Sequence, residues 1–356
     1  MKLVKKFIEG LYLKKSLKRF KPVIKALDEF FFGTDKVTYI SLRSPHILDN
    51  IDIKRYMFTV IIALMPSVLA AIYLYGLRVI LVIFVSYLVG GMVEVISAIF
   101  RKKEIQEGFL VTGLIFPLLL PPTIPLWMVG VGIFFGVFIG KEIFGGTGRN
   151  IFNPALVGRL FITISFPQAL TTSWAEPLRG GLAGFLRYKS DALTSATPLI
   201  SFKSGHTLTN ISELLMGLSS GSIGETFRLG VILGGLFLLY TRVANWRIPL
   251  AYLSSVFILS FLGNVFFPDK FAPPLFQLFS GGLLLGAFFM ATDPVTSPFS
   301  ELGKWIFGFG CGLLTVLIRT FSGYVEGVMF SIIIMNGFSP LIDQSILNFR
   351  YRYLKR

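Results

Sequence analysis

The chain has 356 residues, of which 53% are hydrophobic, 37 are Phe and only 15% are charged, with a formal net charge of +15. A soluble domain of this length would expose more charge, and several apolar runs approach the ~20 residues that carry a helix across a bilayer; the sequence therefore reads as an all-α integral membrane protein. A lone cysteine, Cys311, set in an apolar run and suited to core packing, excludes a disulfide framework and any cysteine-ligated cluster within this subunit.

In chain order, the first 55 residues are basic and amphipathic rather than a short apolar stretch with a cleavage site, so no signal peptide is visible and the segment is expected on the cytoplasmic side. Apolar runs follow near 58–76, 79–100, 108–121, 126–144 and 153–166, then, after a long polar stretch, near 229–241, 248–267, 275–292, 305–318 and 327–342. That predicts about ten spans. Several are short and broken by Pro117, Pro121, Pro122 or Pro294. Bare backbone facing lipid is too costly to persist, so such interruptions read as discontinuous helices that line a site. The chain divides into a basic segment over 1–55, a five-helix half over 56–166, a connection over 167–228, a second five-helix half over 229–345 and a basic tail over 346–356.

With the N-terminus inside, the segments on that side hold 26 of the 34 Lys and Arg residues. This asymmetry puts both termini in the cytoplasm and turns the 167–228 connection, with Thr197, outward. Anionic headgroups satisfy the excess positive charge, and nothing calls for nucleic acid.

A Pro-bearing helix end at Phe116-Pro117 or Asp293-Pro294 is followed 24 or 25 residues later by a basic residue and an x-Phe-x-Gly turn, at Lys141 and Arg319. Two five-span repeats would be inverted because five is odd, and such folds place ligands near the repeat interface. Chance in a Gly- and Phe-rich sequence explains the pattern equally well.

Glu94, Lys141, Glu142, Arg159, Asp293, Arg319 and Asp343 lie within or at the ends of spans. Ionisable groups there are expensive in lipid and mark ion or proton routes. The local alternatives are a Glu142 paired with a neighbouring Arg, an Asp293 that caps a broken helix and an Asp343 solvated near the surface. The loop Phe144-Gly145-Gly146-Thr147-Gly148-Arg149-Asn150 leads into Asn153-Pro154, where backbone N–H groups and Arg149 suit an anion at a helix start. No strand precedes it, so it is no dinucleotide fingerprint. Gly221-Ser222-Ile223-Gly224-Glu225-Thr226 is a second glycine-rich stretch of this kind. Asp191-Ala192-Leu193-Thr194-Ser195-Ala196-Thr197-Pro198 is a small-residue segment within the polar connection.

The order of these motifs carries a resemblance. Asp52-Ile53-Lys54-Arg55, Gly90-Gly91-x-x-Glu94, the stretch from Lys141 to Asn150, Asn153 to Arg159, Ser195-Ala196-Thr197, Gly221 to Thr226, Asn245-Trp246-Arg247, Met290 to Val295 and Pro340-Leu341-Ile342-Asp343 follow one another as in a known family. It comprises the B-type subunits of the sodium-pumping NADH:quinone oxidoreductases and the D-type subunits of the Rnf ferredoxin:NAD oxidoreductases. Residues 52–55, 145–150 and the basic N-terminus are more similar to the quinone reductase, whereas Thr296-Ser297-Pro298 and Leu317-Ile318-Arg319 are more similar to the Rnf protein.

The resemblance implies a subunit of a sodium-translocating oxidoreductase in the bacterial cytoplasmic membrane, working beside subunits of the A, C, D, E and F types. It implies FMN joined through a phosphoester to Thr197 by a separate flavin transferase on the outer side, with Arg149, Asn153, Arg159, Asp191 and Ser195 near bound flavin. Ser195 and Ala192 stand where the family commonly has Gly, which leaves Thr194 and Ser195 as alternative hydroxyls. It further implies a non-covalent riboflavin, a quinone pocket that includes Gly90 and Gly91, and a Na⁺ route past Glu94, Asp293 and Asp343, with Glu142 as a further candidate. Electrons would pass from the FMN to riboflavin and on to quinone. Beside these readings, broken helices with buried carboxylates also suit a cation-coupled secondary transporter.

Overall fold

The structure is a computed structural model that describes residues 53–101, 108–178, 183–188 and 196–352. The basic N-terminal segment, Asp191, Thr194 and Ser195 lie outside the described residues. Every regular element described is helical: α1 (Ile53–Tyr75), α2 (Arg78–Arg101), α3 (Gly108–Leu118), α4 (Leu126–Val137), α5 (Pro154–Ser165), α6 (Pro167–Thr172), α7 (Ala183–Leu186) and α8 (Pro198–Gly205). Then come α9 (Ile211–Met216), α10 (Arg228–Tyr240), α11 (Arg247–Phe266), α12 (Pro274–Phe279), α13 (Leu283–Leu285), α14 (Glu301–Phe321) and α15 (Val328–Arg352). Wider π turns extend α4 over Phe138–Glu142 and α13 over Gly286–Met290.

Twenty residues at 1.5 Å each cover about 30 Å, the apolar thickness of a bilayer. Five helices are long and apolar enough among the described residues: α1, α2, α11, α14 and α15. The other runs expected to span are shorter. α3, α5 and α10 have 11, 12 and 13 residues, and the run near 275–292 breaks into α12, α13 and a π turn. Proline punctuates the first break, at Pro121, Pro122 and Pro125, while the second opens at Gly281, whose φ of 64° suits glycine. Both broken stretches share one spacing: Gly108, Gly113, Pro121 and Pro125 fall at the same intervals as Gly281, Gly286, Pro294 and Pro298.

The backbone freed by the first break is satisfied inside the protein. Ile223 N donates to the Leu120 carbonyl at 3.0 Å and Gly224 N to that of Leu118 at 2.7 Å, while Arg78 donates to Ile124 O at 2.7 Å. The glycine-rich 221–226 stretch, read from sequence as a place for a ligand to approach, is therefore the partner of an interrupted helix. A Cβ on Gly224 would lie 2.6 Å from Leu118 Cβ, which explains the glycine.

Helices pack through small residues, as expected where lipid gives no hydrophobic drive to associate. α14 meets α11 through Gly308 and Gly312, where an added Cβ would come within 2.7 Å of Ile248 O and 1.7 Å of Ser255 Oγ. α10 meets α1 through Gly234, whose Cβ would sit 2.0 Å from Ala63 O. α4 and α5 interlock through Gly136 and Gly158. Cys311 is fully buried in the core, as its apolar setting implied. Phe58, Leu69, Phe84 and Phe261 face outward, each more than half exposed.

A hydroxyl triangle fastens three helices. Tyr252 of α11 bonds Thr315 of α14 at 2.6 Å and Ser331 of α15 at 3.1 Å, and Thr315 and Ser331 are 2.8 Å apart. Tyr252→Phe is expected to lower unfolding free energy by about 1 kcal/mol, the scale of a hydrogen bond between membrane helices. Denaturation of the detergent-solubilised protein measures it, and an unchanged midpoint refutes it.

Candidate functional site

Two cavities hold most of the chemistry-bearing residues. The first, of about 700 Å³, is lined by Tyr56, Lys141, Thr147, Asn150, Asn153 and Asp293, with Phe289 and aliphatic residues between them. The π turns put Lys141 and Phe289 on its wall, and such turns often mark functional sites because the extra residue re-aims side chains.

Lys141 is buried and donates to Glu94 Oε1 on α2 in an ion pair whose side chains are 3% and 5% exposed. The next residue, Glu142, pairs at 2.9 Å with Arg101, two turns beyond Glu94 on α2. Two pairs of opposite polarity thus staple the π turn to α2. Asp293 accepts from Val295 N at 3.1 Å and Thr296 Oγ1 at 3.3 Å, so it caps the turn after its own broken helix as well as facing the cavity. Asp343 lies elsewhere. Its carboxylate accepts from Phe299 N at 2.7 Å, Ser300 N at 3.0 Å and the Ser300 hydroxyl, tying α15 to the start of α14.

The second cavity, of about 880 Å³, contains Thr197. Thr197 is the N-cap of α8: the Ile200 N–H donates to its Oγ1 at 3.4 Å, and Pro198, which has no N–H to satisfy, starts the helix. Lys203, one turn on, donates to the carbonyls of Ser322 at 2.5 Å and Tyr324 at 3.2 Å. α8 is thereby fixed to the end of α14, and partial burial pulls the Lys203 ammonium below the usual lysine range. Trp174, Tyr324, Leu199 and Met329 give this cavity broad apolar walls.

Charged groups meet at its floor. Arg159 of α5 pairs with Glu326 at 2.7 Å, and the other Glu326 oxygen accepts from Gly282 N at 2.5 Å. Glu225 is 5% exposed and its Oε1 accepts from Ser222 N at 3.0 Å. Behind them, buried Arg228 donates to Leu214 O at 2.5 Å, and buried Arg319 donates to Gln277 O at 2.8 Å and Ser280 O at 3.0 Å. Arg159, Arg228 and Arg319 are thus all interior groups.

The expected flavin residues are divided between these cavities. Asn153 lines the first and caps α5 by accepting from Ala155 N at 3.1 Å, whereas Arg159 and Thr197 line the second. Arg149 is exposed and lines neither. Gly90 packs on Ile133 and Val137, and Gly91 on Phe109, also away from both. Sequence reading named Glu225 only as part of the 221–226 stretch and did not name Glu326 or Arg228 as site residues; Glu326 carries no local signal because its partner Arg159 stands 167 positions away.

A model of the NQR2, RnfD, RnfE family matches residues 40–352. The chain belongs to that family. Its curated relatives include proteins named as the B-type subunit of Na(+)-translocating NADH-quinone reductase. The one from Azotobacter vinelandii is 41% identical over 268 residues, 74% of this chain and 65% of the relative, so the chain spans just under two thirds of its length. The one from Ectopseudomonas mendocina is 36% identical over 371 residues, 90% of each chain. The one from Pseudoalteromonas atlantica is 42% identical over 287 residues, 77% of this chain and 68% of the relative.

Breaking one partner of a buried ion pair strands a charge at a cost of about 3–5 kcal/mol, whereas removing both is far milder. Lys141→Met is therefore expected to depress stability strongly, and Glu94→Gln combined with Lys141→Met to recover most of the loss. Thermal unfolding of the native protein and both variants tests this; a double variant as unstable as Lys141→Met contradicts it.

Proposed function

We propose that the chain is the B-type membrane subunit of a sodium-translocating NADH:quinone oxidoreductase, holding FMN on Thr197 and riboflavin in the Asp293 cavity. The observation that carries the reading is the placement of Thr197: a helix-capping hydroxyl in the wall of a large cavity, opposite Arg159. The names borne by the relatives support the quinone reductase over the Rnf complex.

The residues fit both flavins. Each cavity is mainly apolar with a few convergent polar groups, the character of small-molecule sites. In the first, the buried Thr147 hydroxyl has no partner, and Asn150, Asn153 and Tyr56 are suited to the hydroxyls of a ribityl chain. In the second, the buried Arg159 Nε is likewise without an acceptor. When bound, the flavins supply the electron-carrying chemistry, and the protein supplies position and electrostatics. α5 joins the two sites: Asn153 and Arg159 are six residues apart, about 9 Å along a helix.

The reading includes ten crossings, full and broken, arranged as two inverted repeats with Thr197 on the outer side and both termini in the cytoplasm. The shared glycine and proline spacing of the two broken stretches supports the repeats. With buried Arg159, Arg228 and Arg319 set aside, the cytoplasmic side holds 25 Lys and Arg residues against 6 outside. Gly90 and Gly91 belong in this scheme to a quinone site shared with neighbouring subunits, and Glu94 and Asp293 to the Na⁺ route, where hard oxygen ligands suit the ion. Glu142 and Asp343, fully engaged in a salt bridge and a helix cap, hold that route's walls in place.

In protein purified from cells that have the transferase, the peptide spanning 190–203 is expected to carry the added mass of FMN, and Thr197→Val to lose it together with in-gel flavin fluorescence. An unmodified peptide from native protein overturns the reading. Glu94→Gln and Asp293→Asn are each expected to cut sodium-dependent turnover by about tenfold, equivalent to about 1.4 kcal/mol in the barrier. Unaltered sodium kinetics in both would remove these carboxylates from the route.

A further inference from the structure

We propose that Glu225 is an un-ionised carboxylic acid facing the Thr197 cavity, and that it gives up the proton taken on when the flavin held there is reduced. The inference rests on the flavin reading of that cavity.

Two carboxyl groups approach each other across one glycine. A Cβ on Gly282 would lie 2.8 Å from Glu326 Oε1 and 3.1 Å from Glu225 Oε2, so only the absence of a side chain lets both in. Their surroundings differ. Glu326 receives a donor on each oxygen, Arg159 on one and Gly282 N on the other, which is the environment of an ionised carboxylate. Glu225 receives one donor, from Ser222 N, and its buried Oε2 has no hydrogen-bond partner.

No cation meets that oxygen. Arg159 pairs with Glu326, Arg228 donates through Nη1 to the carbonyls of Leu214 and Thr226 and keeps Nε and Nη2 without partners, and Arg319 bonds Gln277 and Ser280; none of the three forms an ion pair with Glu225. Tyr75, the remaining titratable neighbour, turns its hydroxyl to Thr226 and the Gly221 carbonyl. When two carboxyl groups share a site and one is fixed as the anion, the other keeps its proton. Burial raises the proton affinity of Glu225, the Glu326 charge raises it further, and Arg228 and Arg159 act against them.

A buried carboxyl oxygen without a partner calls for an explanation. As a hydroxyl, Glu225 Oε2 is a donor that waits for an acceptor to occupy the cavity. A flavin held there, when reduced by two electrons from NADH through the complex, would take up one proton. The Glu225 O–H would supply it to a ring nitrogen, leaving a carboxylate near Arg159 and Arg228.

Infrared spectroscopy of the purified complex, oxidised and reduced with NADH in H₂O and D₂O, tests the proposal. Expected are a carbonyl stretch of an un-ionised carboxylic acid that shifts in D₂O, disappears in Glu225→Gln, weakens in Glu326→Gln, where the neighbouring anion is gone and Arg159 is freed, and diminishes on flavin reduction. Should Glu225→Gln fail to accumulate, Glu225→Asp is expected to move the band. A native oxidised complex without the band, a band indifferent to both Glu225 substitutions, or a band unchanged by reduction overturns it. Thr197→Val separates the two claims: it is expected to keep the static band and lose the reduction-linked change. Loss of the static band in that variant would also count against a proton set by Glu326 and burial alone.

Discussion

A helix interrupted inside a membrane must give its freed carbonyl and amide groups to the protein itself, because lipid offers them nothing. Here the carbonyls of Leu118 and Leu120 are met by the amides of Gly224 and Ile223. That contact sets the depth and direction of the 221–226 stretch, and with it the position of Glu225, which follows Gly224, and of Thr226, which bonds Tyr75 at 2.8 Å. Arg228 starts α10 two residues later. The floor of the Thr197 cavity is therefore built on the repair of a broken helix.

The second break works in a related way. Its glycines do not take up a neighbour's amides; they leave room and offer one N–H. Gly281 and Gly282 permit Arg319, Glu326 and Glu225 to converge where any side chain would intrude, and Gly282 N fixes the Glu326 carboxylate. Glu326 in turn orients Arg159 on α5. At the opposite end of α5, Asn153 caps the helix and borders the Asp293 cavity. One twelve-residue helix thus has a polar anchor in each cavity, which is why the sites can be near each other and still chemically distinct.

Much of this was legible in the sequence for a physical reason. Apolar length marks α1, α2, α11, α14 and α15, and proline and glycine mark the breaks, because both signals are local. Asn153-Pro154 announces a helix start for the same reason. What stayed hidden is what depends on distant pairing. Arg101 as the partner of Glu142, the amides of Phe299 and Ser300 as the partners of Asp343, and the interior position of Arg228 emerge only once the chain is folded. Glu326 carried no motif at all. Of the roughly ten spans expected, several of them broken, five are long enough to cross a bilayer among the described residues, because a run of apolar residues does not reveal how many of them the helix retains once Pro and Gly have acted.

The glycine contacts divide the surface of each helix into two regimes of evolutionary drift. On the outward faces, where Phe58, Leu69 and Phe261 meet the surroundings, one bulky apolar side chain serves as well as another, and homologues are free to wander. Along Gly234, Gly308 and Gly312 no such freedom exists, since the smallest added carbon would overlap a neighbour's backbone or side chain. Substitutions separating this chain from its cousins should accumulate on the greasy exterior, leaving the narrow seams between helices nearly frozen.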